Sequence, residues 1–218
     1  MMQLLSILAK GGIVMVPLAL CSLAALTVIV ERYLRLRKVG GSAVTLLGRV
    51  ELHLAQGNHG TALEECERKP GVAASVLAAG LRAHLSGGRV ERAMEGQAMV
   101  ALPSLNRGLV VLDTVVTAAP LLGLLGTVLG MIRSFHVVAV SGASHPIGIT
   151  SGIAEALIAT ATGLVIAIFS LVGFNYFNDR VKHITAQTEM AATRLANILA
   201  EERDSSPGER ETVGLALR

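Results

Sequence analysis

The sequence predicts an all-α integral membrane protein: three transmembrane helices with long cytoplasmic helical extensions. Three observations carry that prediction. Hydrophobic residues make up 52% of the 218 positions and charged ones only 16%, with a mean hydropathy of +0.59, too apolar for an ordinary soluble domain. The apolar residues collect in three runs, 13–30, 108–133 and 152–175, each long enough to cross a hydrocarbon core at about 1.5 Å per residue. Lys and Arg lie where a three-span topology needs them.

Span 1, residues 13–30, ends in Glu31-Arg32-Tyr33-Leu34-Arg35-Leu36-Arg37-Lys38. This is a stop-transfer pattern with no small-residue cleavage site, so a retained helix is expected and not a signal peptide. Pro17 falls in its first turn, where its missing N–H costs nothing. Arg32, Arg35, Arg37 and Lys38 follow the span and only Lys10 precedes it. The positive-inside rule then puts residues 1–12 outside and 31–107 in the cytoplasm. Span 2 exits through a loop, 134–151, that holds no Lys or Arg, and span 3 returns before Arg180 and Lys182.

The cytoplasmic segment reads as helices. Residues 42–56 are stopped by Gly57-Asn58-His59-Gly60, a turn signal. Thr61 with Glu64 forms a candidate capping box for the next helix, which ends at Lys69-Pro70-Gly71. The apolar segment 72–81 is too short to span and is expected to be buried against other helices. Gly87-Gly88 breaks the chain. Residues 89–106 are expected to run into span 2 as one helix, with Pro103 as a candidate kink. Span 3 is expected to continue to about Glu201, with Leu195, Ile198 and Leu199 at helical spacing, ahead of a loose tail from Ser205-Ser206-Pro207-Gly208.

Polar residues inside the apolar runs are the functional candidates, because a charge at mid-membrane costs about 2.5–3.5 kcal/mol on insertion scales. In span 2, Pro120, Gly123, Thr127, Gly130 and Ser134 share a helical face, with Gly126 in the same run. In span 3, Ala156, Thr160, Gly163, Ala167 and Ser170 share another, and Glu155 lies about 140° away. Small residues let helices approach closely in lipid, so either face reads as a packing surface. Thr127 and Thr160 also fall at a similar depth, about 12 Å in. Hydroxyls donate and accept, which suits a water-linked proton path. Glu155 is open to two readings, a structural pair or an aid to ion entry from a wet cavity. Asp113, near the cytoplasmic start of span 2, is either an interfacial carboxylate or an ion exit.

Other chemistries find no support. Cys21 and Cys66 sit in unlike settings and read as unpaired. His53, His59, His84, His136, His145 and His183 show no metal-site spacing and read as solvated. Aromatics are 3% with no Trp, which argues against a nucleic-acid platform. No phosphate loop or catalytic grouping is present. No cofactor and no enzymatic activity are therefore expected, and any work must draw on an ion gradient.

The segments Leu112-Asp113-Thr114-Val115-Val116-Thr117-Ala118-Ala119-Pro120 and Gly126-Thr127-Val128-Leu129-Gly130-Met131-Ile132-Arg133-Ser134-Phe135 resemble the second span of the MotA/TolQ/ExbB proton channel family. Gly152-Ile153-Ala154-Glu155-Ala156-Leu157-Ile158-Ala159-Thr160-Ala161-Thr162-Gly163-Leu164 resembles its third, and Gly11-Gly12-Ile13-Val14-Met15-Val16-Pro17-Leu18 with Glu31-Arg32 its first. With three spans, the resemblance is to the ExbB and TolQ branch rather than MotA. Phe169 stands where relatives often have Pro. The resemblance implies a bacterial inner-membrane homopentamer whose second and third spans line a pore around an ExbD- or TolR-like single-span partner. Thr127 and Thr160 would face that pore, with Glu155 nearby. Proton flow would drive a TonB-like protein, or a Tol-Pal-type envelope motor. A passive membrane scaffold is the reading from another class.

Overall fold

A computed structural model describes residues 12–39, 43–141 and 146–205. Among them are seven α-helices and no strand: α1 Met15–Val39, α2 Ala43–Ala55, α3 His59–Arg68, α4 Val72–Leu85, α5 Val90–Ala101, α6 Leu109–Ser141 and α7 Pro146–Ser205. Three stretches, within Met15–Leu36, Val90–Val140 and Thr150–Arg203, are long and apolar enough to cross a membrane. Expectations about Lys10, Gly11, His145 and the tail from Ser206 lie outside the described residues.

The chain divides into two compact units. One joins residues up to 34 with 108–178, and the other joins 35–107 with residues from 179 onward.

The first unit contains most of α1, all of α6 and the first half of α7. Its buried residues include many small ones, Ala25, Ala119, Ala156, Ala159 and Ala167 with Gly123, Gly126, Gly130 and Gly163, beside larger ones such as Met15, Leu18, Leu112, Val115 and Phe177. Large side chains such as Leu20, Leu121, Leu124, Leu157 and Phe169 stay exposed. In water an apolar surface of this extent would be a liability; in a bilayer it is the solvated face.

The second unit is a helical cluster with a conventional aliphatic core. Leu46, Leu47, Val50 and Leu54 of α2 are buried, as are Val76, Leu77 and Leu81 of α4. From α7 come Val181, Thr188, Ala191, Leu195 and Leu199, spaced by threes, fours and sevens as one helical stripe. Leu195 and Leu199 thus face the core, and Ile198 is half-buried beside them. Arg194 Nε pairs with Glu51 Oε1 of α2 at 2.7 Å.

Two local expectations are corrected. Residues 89–106 do not run into the second span as one helix. The segment Leu102–Asn106 is a 3₁₀ turn with Pro103 in its first positions, and Gly108 at φ +80° starts α6 afresh. Proline bars a regular α-helical hydrogen bond there, and the left-handed glycine reorients the chain. The helix expected to begin after Thr61 begins instead at His59, with Asn58 at the cap position and no side-chain cap bond.

Candidate functional site

The polar and small residues of the spans converge on one seam between α6 and α7, inside the first unit. The Thr160 hydroxyl donates to the Gly123 carbonyl at 2.9 Å, so the third span is hydrogen-bonded directly to the backbone of the second. That approach requires glycine. A Cβ on Gly123 would lie 3.0 Å from Thr160 Cα, and one on Gly163 would lie 2.5 Å from the Ala119 carbonyl oxygen. Toward the other end, a Cβ on Gly130 would lie 2.6 Å from the Gly152 carbonyl oxygen and 2.7 Å from Ala156 Cβ, while Gly126 faces Ala159 Cβ. Close backbone contact of this kind associates helices in lipid, where apolar surface has no driving force of its own.

Thr127 stands beside this seam. Its hydroxyl donates to Leu124 O of its own helix at 2.6 Å, and it is half-exposed. The two threonines therefore use different acceptors. Each hydroxyl oxygen keeps acceptor capacity for a water. Pro120 is half-buried. Within α6 it leaves the carbonyl four residues earlier without its helical donor. Ser134 is buried and donates to Gly130 O at 3.1 Å. Ser170, on the seam face of α7, is buried with its hydroxyl lacking a partner among the described residues.

Glu155 sits nearer the start of α7 than Thr160. It accepts a hydrogen bond from Arg133 Nη1 at the far end of α6, and its carboxylate abuts the backbone of Gly12, which has φ +71°. Within one chain Glu155 is thus an ion-paired carboxylate joining three segments of the first unit. Sequence separation of 22 residues hides this pair from any periodic reading.

Asp113 is exposed on α6. Thr117 donates to the Asp113 carbonyl at 3.2 Å and to that of Thr114 at 3.0 Å, and Thr114 donates to Val110 O at 2.8 Å. These three form an exposed polar patch near the start of α6. Asp113 alone stands out in the sequence, although the i, i+3 and i, i+4 spacings to Thr117 are legible there.

In the second unit, two histidines read as scattered and solvated are brought together. His59 and His84 rings lie 5.3 Å apart, both beside Glu202. They meet because α3 packs against α4, which brings the first residue of one helix beside the last turn of the other. Burial there also pushes the Cys66 thiol up to about 12, since low dielectric disfavours the thiolate, and the neighbouring Glu65 adds to the effect. The Arg49 hydrogen bond holds the Glu65 carboxyl below its ordinary value.

Comparison with known proteins agrees with this architecture. The model of the MotA/TolQ/ExbB proton channel family matches residues 68–190. A putative biopolymer transport protein ExbB-like 1 of Synechocystis is 38% identical over 179 residues, covering 79% of this chain and 69% of its own. A putative ExbB homolog of Methanothermobacter thermautotrophicus is 28% identical over 179 residues, 81% of this chain and 63% of its own. ExbB of Pseudomonas putida is 36% identical over 107 residues, 49% of this chain and 32% of its own. A three-span helical protein with a glycine-lined, hydroxyl-bearing seam, matched over more than half its length by one transport family, belongs to the MotA/TolQ/ExbB proton channel family.

Proposed function

We propose that the chain is an ExbB-like subunit of an inner-membrane motor, passing protons along the polar side of its second and third spans and coupling that flow to motion of an ExbD-like single-span partner. A TonB-like protein would carry the motion to outer-membrane importers. The observation that supports this most is the Thr160–Gly123 bond. It fixes a hydroxyl at the junction of two apolar helices, beside half-exposed Thr127. Glu155 lies five residues from Thr160, about 7.5 Å along the helix axis. A run of groups that donate and accept, at membrane depth, is what a water-linked proton path needs.

Several copies around a central opening, a homopentamer in the reading taken from the family, would turn Thr127 and Thr160 toward that opening. Asp113 with Thr114 and Thr117 would supply the exit. Proton flow through such a path draws about 2.3 kcal/mol per charge per 100 mV. The names of the matched relatives favour ExbB over TolQ.

Thr160→Val tests the reading because it keeps shape and removes the hydroxyl. An interhelical hydrogen bond in a membrane contributes only about 0.6 kcal/mol on average, and the Gly123 carbonyl keeps its own helical donor. Assembly with the single-span partner is therefore expected to survive. Dye-reported proton flux in proteoliposomes, and energised uptake in cells, are expected to fall to background, with Thr160→Ser restoring both. Full flux through Thr160→Val would leave a passive scaffold as the better account.

A further inference from the structure

We infer that His59, His84 and Glu202 form a binding site for a divalent transition-metal ion of the Zn²⁺ class, fastening the end of α7 to the α3–α4 hairpin within the second unit. This is independent of the proton path. His59 Nε2 lies 3.4 Å from Glu202 Oε1, and His84 Nε2 lies 4.0 Å from Glu202 Oε2. One ligand atom from each residue can be chosen so that all three lie within 4.8 Å of one another. Ligands on a tetrahedral Zn²⁺, with bonds of about 2.0–2.1 Å, stand roughly 3.3–3.5 Å apart. One pair already has that separation. The others close by about 1 Å through side-chain rotation between staggered states.

The environment suits a cation. His84 lies in the last turn of α4, and Glu202 lies near the end of α7. Two helix C-termini, each the negative end of its dipole, therefore meet at the cluster, and they outnumber the one positive end, that of α3, which begins at His59. All three residues are shielded, with side chains 25%, 23% and 36% exposed. His59 Nδ1 is buried and has no partner among the described residues. No hydrogen bond therefore ties the His59 ring to one orientation through that nitrogen. Rotation about χ2 presents either ring nitrogen to an ion.

Two imidazoles and one carboxylate form a borderline donor set that suits Zn²⁺ and its neighbours more than Mg²⁺ or Ca²⁺. The cluster opens on a cavity of about 710 Å³ also lined by Arg89, Glu91 and Arg203. Those side chains, with Glu202, carry two charges of each sign, so no net positive field repels the ion. The cavity leaves the fourth coordination position to water or a small anion.

The test uses the untagged full chain in detergent micelles, stripped with chelator and titrated with ZnCl₂ by calorimetry and with CoCl₂ by absorption. One ion per chain is expected, with micromolar or tighter affinity, the intense visible bands of tetrahedral Co²⁺, and a higher melting temperature on adding Zn²⁺. His84→Gln and Glu202→Gln are each expected to bind at least about tenfold more weakly, while retaining helical circular dichroism, and His53→Gln to bind as the parent does. Absence of saturable binding at one ion per chain would overturn the inference. So would binding that the double variant His59→Gln/His84→Gln leaves unchanged, which would place the ion elsewhere.

Discussion

The two units differ in what makes their helix contacts. The membrane-spanning unit meets at glycine and alanine along its α6–α7 seam and leaves many leucines exposed, whereas the other centres on a buried cluster of leucine and valine. The solvent explains the difference. In water, a buried leucine side chain contributes about 1.5–3 kcal/mol by leaving solvent. In lipid that term vanishes between helices, and only close backbone approach, hydrogen bonds and shape remain. The same residue type therefore has opposite meanings. Gly163 and Gly130 are contact points, whereas Gly48 and Gly96 have nothing within 4 Å of where a Cβ would sit.

The sharpest way to break this contrast is to empty the aliphatic core. Leu77 is 0% exposed in the middle of α4, so Leu77→Ala leaves a cavity and is expected to cost about 2–5 kcal/mol. Thermal or denaturant unfolding of the second unit, followed by circular dichroism, measures it. A loss below about 1 kcal/mol would mean that this core relaxes as freely as a lipid-facing surface.

Filling the seam is expected to do comparable harm from the other direction. Gly163→Ala places a methyl 2.5 Å from the Ala119 carbonyl oxygen, a backbone atom that yields only if the helices part. Overpacking costs about 1–3 kcal/mol, and the Thr160–Gly123 bond one turn away should lengthen with it. Unfolding in SDS–detergent mixtures reads the stability loss. An unchanged transition would show that α6 and α7 are not in close backbone contact.

Cys66 separates the units by pH. Its thiol is raised from 9.0 to about 12 in the folded chain. A group whose folded value exceeds its unfolded one adds stability below the unfolded value and loses it as pH rises through the folded one. The expected window of loss is therefore pH 9 to 12. Cys66→Ala should flatten that part of the alkaline unfolding profile. Iodoacetamide should label Cys66 slowly at pH 8 until the second unit is unfolded.

How much of this was readable from the sequence follows the same division. Hydropathy gave three spans because lipid imposes one rule on every residue of a span. Helical spacing gave the faces carrying Gly123 and Gly130, and Thr160 and Gly163, because those faces are properties of single helices. It left open whether the faces pack against each other or line an opening, since that depends on which neighbour arrives. The Arg133–Glu155 pair depends on how the chain returns between α6 and α7, which no period encodes. The break at Pro103 and Gly108 was missed because apolar continuity outweighed a proline–glycine signal six residues long. His59 and His84 share no ligand-motif spacing along the chain, and only the packing of α3 on α4 makes them neighbours.

The smallest effect is the most discriminating. Gly96 lies inside α5 with open space around it, and its backbone has no positive φ. Gly96→Ala therefore removes unfolded-state freedom without adding a clash, and is expected to stabilise the second unit by about 0.4–1 kcal/mol. The seam variant Gly163→Ala makes the same chemical change, one added methyl, with the opposite sign. Measuring both in one background cancels any general effect of the substitution. Opposite signs would assign the difference to what each glycine touches. A loss of stability at Gly96 as large as that at Gly163 would mean that α5 is covered by another copy or partner in the assembled protein, making its free face a contact surface.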